Sequence, residues 1–229
     1  MSYHVKICGL KEPAMAELAI DAGANMIGLV FFEKSPRHIA LEDAAPVALS
    51  ARGKAETVGL FVNPTDALLS QTLSTVPLTH LQLHGDETPA RTLAIRQNHN
   101  LPAIKAISIH TSIDVKAAGK YTAVSNMILF DAKATPESSI PGGNGVPFDW
   151  PILDNVSGAL PWLLAGGLTP DNVADAIDAV QHLPGFAGVD VSSGVEIARG
   201  QKDAGLIRAF ISNARAAFAA IQAKEKIHG

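Results

Sequence analysis

Two side chains of this sequence, a thiol and a carboxyl, have the chemistry to move protons on a single substrate. Cys8 is the only cysteine and ends the apolar segment Val5–Cys8. Strand alternation puts Lys6 on the same face, where its ammonium could stabilise a thiolate base. Asp131 follows the apolar segment Ile128–Phe130. In a parallel barrel an acid and a base would then face one cavity; otherwise Cys8 is a buried small side chain and Asp131 caps a turn.

Two segments near the C-terminal end have the composition of a phosphate-binding site. Each is typical of a strand that breaks at glycine or serine and then feeds a helix, and backbone N–H groups at such turns bind phosphate. Barrels often use the loops after strands seven and eight for this purpose. Because tight turns need glycine anyway, the signal lies in the two segments together. The candidate residues are Gly166, Gly167, Ser192, Ser193 and Gly194.

Three further polar residues are candidates for substrate binding. Arg37 follows the second strand, and its guanidinium could hold a carboxylate with two parallel hydrogen bonds, although a loop arginine is more often solvated. Asp190 could bind a sugar hydroxyl or cap a turn. His84 shares a strand face with Gln82, so it is either a satisfied inner histidine or a proton shuttle.

Motifs for metal and cofactor binding are absent from the sequence. It contains no HxH, HExxH or CxxC spacing, no GxGxxG fingerprint and no GK[ST] sequence. We therefore expect neither a metal nor a cofactor.

Apolar strand-like segments alternate with helical patterns along the whole chain. This alternation favours βαβ units and a parallel sheet. Eight units in 229 residues fit a single (β/α)8 TIM barrel spanning residues 1–229, although periodicity alone leaves an open doubly wound sheet possible. The predicted strands are His4–Cys8, Met26–Phe31, Thr57–Phe61, His80–Leu83, Ala103–Ile107, Met127–Phe130, Trp162–Leu164 and Ala187–Val189.

The long irregular segment 133–147 follows the sixth predicted strand. In a barrel it would lie on the face that carries the site, so we interpret it as a lid rather than a floppy insertion. Helix faces that include Phe210, Ile211 and Phe218 could support a homodimer, and a monomer is equally compatible with the sequence.

Composition excludes several classes of protein. The formal charge is −4 with no basic cluster, which argues against a nucleic-acid partner. No uninterrupted apolar stretch is long enough for a membrane span, so we expect no membrane association. With 47% hydrophobic and 17% charged residues and one cysteine, the chain is expected to be a cytoplasmic globular protein.

The order of these segments resembles the phosphoribosylanthranilate isomerase family across nearly the whole chain. Any one match is weak, but their number and order are specific. They are Lys6–Leu10, Gly23–Asn25, Gly28–Phe31, Ser35–Arg37, Gly59–Asn63, Leu81–Gly85, Gly142–Gly145, Phe148–Trp150, Leu164–Leu168 and Asp190–Glu196.

The resemblance implies a (β/α)8 isomerase that acts on a small phosphorylated sugar–anthranilate without a cofactor, by an Amadori rearrangement in tryptophan biosynthesis. It makes Asp131 the general acid and Cys8 the general base. It also implies that Arg37 binds the anthranilate carboxylate, that Asp190 binds a ribose hydroxyl and that the glycine–serine turns bind the phosphate. His84 matches a family motif, but the resemblance gives it no firm role.

Two other functions are compatible with a barrel of this kind. A histidine-pathway isomerase catalyses a parallel step, but it would need paired aspartates after strands one and five, where this chain has Cys8 and, near Ile107, no carboxylate. A non-catalytic phosphosugar-binding barrel would keep the phosphate turns but would need neither Cys8 nor Asp131.

Overall fold

Eight parallel strands form a closed barrel in which each strand pairs with the next and the eighth pairs with the first. The structure is a computed structural model that describes residues 3–132 and 150–228. This closure confirms the barrel and excludes the open doubly wound sheet. The strands are β1 His4–Cys8, β2 Met26–Val30, β3 Glu56–Phe61, β4 His80–Leu83, β5 Ala103–Ile109, β6 Met127–Ala132, β7 Trp162–Leu164 and β8 Phe186–Val191.

Helices cover the outside of the barrel. They are α1 Pro13–Asp21, α2 Leu41–Ser50, α3 Asp66–Thr75, α4 Pro89–His99, α5 Ser112–Ala117, α6 Val173–Val180 and α7 Ala204–His228. The hydroxyls of Thr65 and Thr88 cap α3 and α4 by accepting a backbone N–H of the first turn. The segment Thr169–Asp171 also has the composition of a helix start, but α6 begins after it. The Asn172 carboxamide accepts the Thr169 N–H at 2.8 Å, and the helix begins one residue later.

Strand alternation divides the buried side chains into two layers. One apolar cluster includes Met26, Val58, Ile104, Met127 and Leu129 and fills the barrel interior. A larger cluster packs the outward faces of the strands against the helices. Because the interior is filled with side chains below, inward-facing polar groups at the C-terminal ends of the strands share the space above it.

The C-terminal helix α7 uses its apolar face to pack on the barrel. Phe210 and Ile211 are fully buried and Phe218 is 3% exposed, with its ring stacked on Tyr3 at 4.4 Å between centroids. These three side chains are therefore unavailable for the homodimer contact that the sequence left open. The stretch Ala204–Lys224 is long and apolar enough, at a mean hydropathy of 1.2, to cross a membrane. Its large side chains Ile207, Phe210, Ile211, Phe218 and Ile221 nevertheless belong to the core of the barrel.

A short antiparallel hairpin follows β8 and was not expected from the sequence. Its strands are β9 Glu196–Ala198 and β10 Gln201–Lys202, joined through Gly200 at a φ of 82°. The predicted lid at 133–147 lies outside the described residues.

Closure of the barrel depends on the absence of a side chain at Gly188. The pairing of β7 with β8 shifts register at Trp162 and Leu163, and Gly188 then faces His4 on β1. A Cβ at this position would overlap the His4 carbonyl oxygen and backbone nitrogen. Only glycine allows β1 and β8 to approach to hydrogen-bonding distance here.

We predict that Gly188→Ala lowers the free energy of unfolding by about 3 kcal/mol or more, because backbone atoms of two strands must move apart. Urea unfolding followed by circular dichroism measures this change. Gly119→Ala is the matched control, since a Cβ there meets nothing within 4 Å. Equal stability of the two variants would contradict the role of Gly188.

Candidate active site

A pocket of about 630 Å³, open to solvent on one side, lies at the C-terminal ends of the strands. Val30, Phe32, Leu60, Val62 and Leu168 give it an apolar wall. All the site residues predicted from the sequence except Gly194 line it: Cys8, Arg37, His84, Asp131, Gly166, Gly167, Asp190, Ser192 and Ser193.

Cys8 sits at the end of β1, held on two sides. Its strand neighbour is Gly28 on β2, where a Cβ would lie 2.7 Å from the sulfur. On the other side the Ser192 hydroxyl donates to the Cys8 carbonyl oxygen at 3.1 Å. The side chain is 3% exposed, and what remains accessible faces the pocket.

Lys6 lies one layer below Cys8 on the same strand face, as alternation predicts. Its ammonium is completely buried and bonds Asp190 Oδ1 at 2.8 Å. Burial by itself lowers the pKa of Lys6, but Asp190 and Cys8 outweigh it and raise the pKa. Burial raises the pKa of Cys8, and the charge of Lys6 opposes this rise without cancelling it. The thiol therefore keeps its proton in the geometry described.

Asp131 ends the inward face of β6 in contact with His84. His84 Nε2 lies 3.3 Å from Asp131 Oδ2, while the Gln82 amide nitrogen lies 2.9 Å from His84 Nδ1. If the amide donates to Nδ1, the imidazole proton is on Nε2 and faces the carboxyl group. The approach lacks hydrogen-bond alignment, so it is an electrostatic contact. His84 is therefore an inner histidine whose Nδ1 is hydrogen-bonded, while its Nε2, beside the predicted acid, has no hydrogen-bond partner among the described residues.

A buried ion pair holds the backbone on either side of His84. The Lys105 ammonium donates to the carbonyl oxygens of Leu83 at 3.2 Å and Gly85 at 2.6 Å. It also bonds Glu87 Oε2 at 2.8 Å. The same carboxylate accepts the N–H of Gly85, so the turn after β4 is fixed from both sides.

The guanidinium of Arg37 forms two hydrogen bonds with the carboxylate of Glu196. Nε lies 2.7 Å from Glu196 Oε1 and Nη2 lies 2.9 Å from Oε2. Lys202 reaches the same carboxylate at 2.7 Å and also donates to the Ser192 carbonyl oxygen at 2.8 Å. Two cations against one carboxylate leave one net positive charge in this group beside the pocket. That charge suits an anionic substrate group.

Glu196 and Lys202 are functional candidates that the sequence interpretation missed. They lie on the β9–β10 hairpin, beyond the last predicted strand. The available signal was the dipeptide Arg199–Gly200, because a two-residue turn with glycine is typical of a hairpin. The segments are too short for alternation to reveal.

The two glycine-rich turns lie against each other at the rim of the pocket. Gly166 and Gly167 have φ values of 85° and 67°, which favour glycine. Among the described residues, no backbone hydrogen bond uses the N–H of either glycine. Gly194 lies behind this surface, where a Cβ would overlap the Leu168 carbonyl oxygen. It holds the two turns together rather than lining the pocket.

Metal ligation has no visible support in the described part of the chain. Within residues 3–132 and 150–228, no group of three or more His, Cys, Asp or Glu side chains could hold a metal ion.

Comparison with known proteins decides the family. The sequence profile of N-(5'-phosphoribosyl)anthranilate (PRA) isomerase matches residues 5–213. The chain belongs to this isomerase family. It is 49% identical over 215 residues to the N-(5'-phosphoribosyl)anthranilate isomerase of Paramagnetospirillum magneticum, covering 94% of this chain and 98% of the relative.

Solved structures of the family share the barrel. The phosphoribosyl anthranilate isomerase of Thermotoga maritima superposes with a TM-score of 0.81 at 36% identity, covering 94% of this chain and all of the other. A second structure, in complex with reduced 1-(o-carboxyphenylamino)-1-deoxyribulose 5-phosphate, gives a TM-score of 0.77 at 34% identity and covers the same shares of the two chains.

The buried Glu196 carboxylate should make the free energy of unfolding depend on pH. Burial favours its neutral form, but hydrogen bonds from Arg37, Lys202 and the Gly200 N–H lower its pKa to about 2. A lowered pKa contributes stability above the usual value of 4.5, and this is lost as the pH falls toward 2. Glu196→Gln should therefore destabilise the fold by about 2 kcal/mol at neutral pH.

Urea unfolding at a series of pH values measures this effect. The stability difference between Glu196→Gln and the parent should shrink as the pH falls from 5 toward 2, because the parent carboxyl is then protonated. Glu17→Gln on the exposed face of α1 is the control and should change little at any pH. A pH-independent difference would contradict the ion-pair account of Glu196.

Proposed function

We propose that this chain converts N-(5'-phosphoribosyl)anthranilate to 1-(2-carboxyphenylamino)-1-deoxyribulose 5-phosphate, an Amadori rearrangement of tryptophan biosynthesis, by general acid–base catalysis without a cofactor. Membership of the isomerase family supports the substrate. The observation that carries the mechanism is that Cys8 and Asp131, from β1 and β6, line the same pocket as the two glycine-rich turns. A free thiol as catalytic group fits the reducing cytoplasm, which is where we expect the enzyme to work.

Asp131 acts first as general acid. Its carboxyl group protonates the furanose ring oxygen, and the lone pair of the anthranilate nitrogen expels that oxygen to give an open-chain Schiff base. The position supports this role because Asp131 is 5% exposed and its accessible edge faces the pocket. A shielded acid passes its proton to the substrate rather than to bulk water.

Cys8 then acts as general base. Its thiolate removes the C2′ proton of the Schiff base, which produces an enolamine that tautomerises to the ketone. The positive charge of the Schiff base nitrogen makes this proton more acidic than that of an ordinary sugar carbon. The base lies on β1 and the acid on β6, far apart in the strand order of the barrel, so both can reach one sugar from different sides.

The two anionic ends of the substrate fix its orientation. The phosphate binds the backbone N–H groups of Gly166, Gly167 and Ser193, with the Ser192 hydroxyl nearby. The net positive group around Arg37 attracts the anthranilate carboxylate. Asp190 accepts a hydrogen bond from a ribose hydroxyl. The aromatic ring packs against the apolar wall that includes Phe32 and Leu60.

We predict that Cys8→Ala and Asp131→Asn each lower kcat by about 10² to 10⁴, the effect typical of a general acid or base. The assay generates phosphoribosylanthranilate in situ from anthranilate and phosphoribosyl pyrophosphate and follows its fluorescence with and without protein. Asp175→Asn, which makes the same change on the exposed face of α6, should retain parental turnover.

Two outcomes of this assay would contradict the proposal. No acceleration by the parent protein over the spontaneous decay of the substrate would reject the reaction. Near-parental turnover by Cys8→Ala or Asp131→Asn, with unchanged thermal unfolding, would reject the assigned roles.

Gly194 provides a separate test of phosphate binding. We predict that Gly194→Ala raises KM by about tenfold or more with a smaller change in kcat, because the new Cβ pushes the two turns apart and leaves the acid and base in place. Inhibition by inorganic phosphate should weaken in parallel, whereas Gly119→Ala should change neither constant. A folded Gly194→Ala variant with parental KM would contradict phosphate binding at these turns.

A further inference from the structure

Lys6 is a buried cation that faces two acidic groups at the base of the pocket. Its ammonium is inaccessible to solvent and bonds Asp190 Oδ1 at 2.8 Å. It also interacts electrostatically with the Cys8 sulfur on its own strand. One ammonium therefore lies close to two acidic groups, and its positive charge stabilises the deprotonated form of each.

The charges around Cys8 come from three strands. Lys6 on β1 and Lys202 on β10 favour the thiolate, whereas Asp190 on β8 opposes it. On β2 the contact is Gly28, which has no charge. The pocket itself is also lined by the ionisable groups of Arg37, His84 and Asp131.

Asp190 weakens the help that Lys6 can give to the sulfur. Its carboxylate forms a short buried ion pair with the ammonium, and its negative charge also raises the pKa of Cys8 directly. Burial of the sulfur adds to this, so the proton stays on the thiol. A base that keeps its proton cannot remove another.

Substrate binding can change this balance because Asp190 also lines the pocket. A ribose hydroxyl that donates a hydrogen bond to the Asp190 carboxylate disperses its charge and weakens its hold on Lys6. The flexible butyl stem of a lysine allows its ammonium to shift between neighbours. The Cys8 sulfur also interacts with this ammonium, so a thiolate there is the other anion that Lys6 can stabilise.

Building on the function proposed above, we propose that Lys6 is a positioning residue that couples substrate binding to catalysis. When a sugar hydroxyl binds Asp190, the Lys6 ammonium interacts less strongly with Asp190 and more strongly with Cys8. The sulfur therefore becomes a base only when a sugar occupies the site.

The protons balance within the site. After one turnover Cys8 holds the proton from C2′, and Asp131 has given its own proton to the ring oxygen. The next turnover needs the thiol proton to pass to the Asp131 carboxylate, through water in the pocket. A stronger interaction of Lys6 with the sulfur favours this distribution and requires no additional reactant.

The single cysteine makes the test direct, because every thiolate signal of the protein comes from Cys8. Ultraviolet absorbance of the thiolate is titrated against pH with and without reduced 1-(o-carboxyphenylamino)-1-deoxyribulose 5-phosphate, an analogue of the product, and the absorbance of the analogue alone is subtracted. We expect the analogue to increase the thiolate fraction of the parent at neutral pH by about tenfold, which is one unit in pKa. An unchanged fraction would overturn the proposal.

Lys6→Met should abolish this increase and shift the rising limb of the kcat profile to higher pH, with KM less affected. Because the variant leaves Asp190 as an unpaired buried charge and can fail to fold, Lys6→Met with Asp190→Asn is prepared in parallel. If Lys6 only neutralised Asp190, the double variant would recover parental thiol titration and kcat, which would also overturn the proposal. We expect it to fold but to remain at least about tenfold slower than Asp190→Asn alone.

This test is separate from that of the proposed function. If turnover requires Cys8 but the thiol titration is the same with and without the analogue, only the role of Lys6 is rejected. Absence of turnover in the parent protein rejects the function itself.

Discussion

The pairing of the first strand with the last is the constraint on which the rest of the site depends. In the register of β1 on β8, Lys6 lies opposite Asp190, and Cys8 comes to the edge where Ser192 begins the turn after β8. The two strands are 184 residues apart in the chain at the Lys6–Asp190 contact. Gly188 makes this approach possible, because any side chain there would meet the backbone of His4. One closure thus brings the base and half of the phosphate site together.

Buried ion pairs position the polar groups at the C-terminal ends of the strands, above the apolar layer of the barrel interior. The pairs Lys6–Asp190, Lys105–Glu87 and Arg37–Glu196 all have side chains no more than 8% exposed. Such pairs contribute little more stability than apolar side chains of the same size, because desolvation of the charges offsets their attraction, although removal of one partner is costly. Their value is in orientation: each fixes a strand end or a turn that carries a group facing the pocket. The same desolvation raises the pKa of Cys8 and makes the thiol sensitive to its neighbours.

The sequence predicts the parts of this protein that rest on local patterns. Alternation along β1 places Lys6 and Cys8 on one face, and glycine at 166 and 167 marks a turn with positive φ. It cannot reveal that Glu196 would hold the guanidinium of Arg37, since the two residues are 159 positions apart and Glu196 lies on a seven-residue hairpin. It also misplaces Phe210 and Phe218, because helical periodicity finds an apolar face without showing what covers it.

The central claim is that one sugar lies between a sulfur and a carboxyl group. A crystal structure of this protein with the reduced product analogue tests it most directly. The account predicts the Cys8 sulfur in contact with C2 of the analogue, Asp131 beside the oxygen that leaves the ring, and the phosphate on the turns at Gly167 and Ser193. An analogue that binds with either Cys8 or Asp131 beyond about 4 Å of the reacting atoms would contradict it.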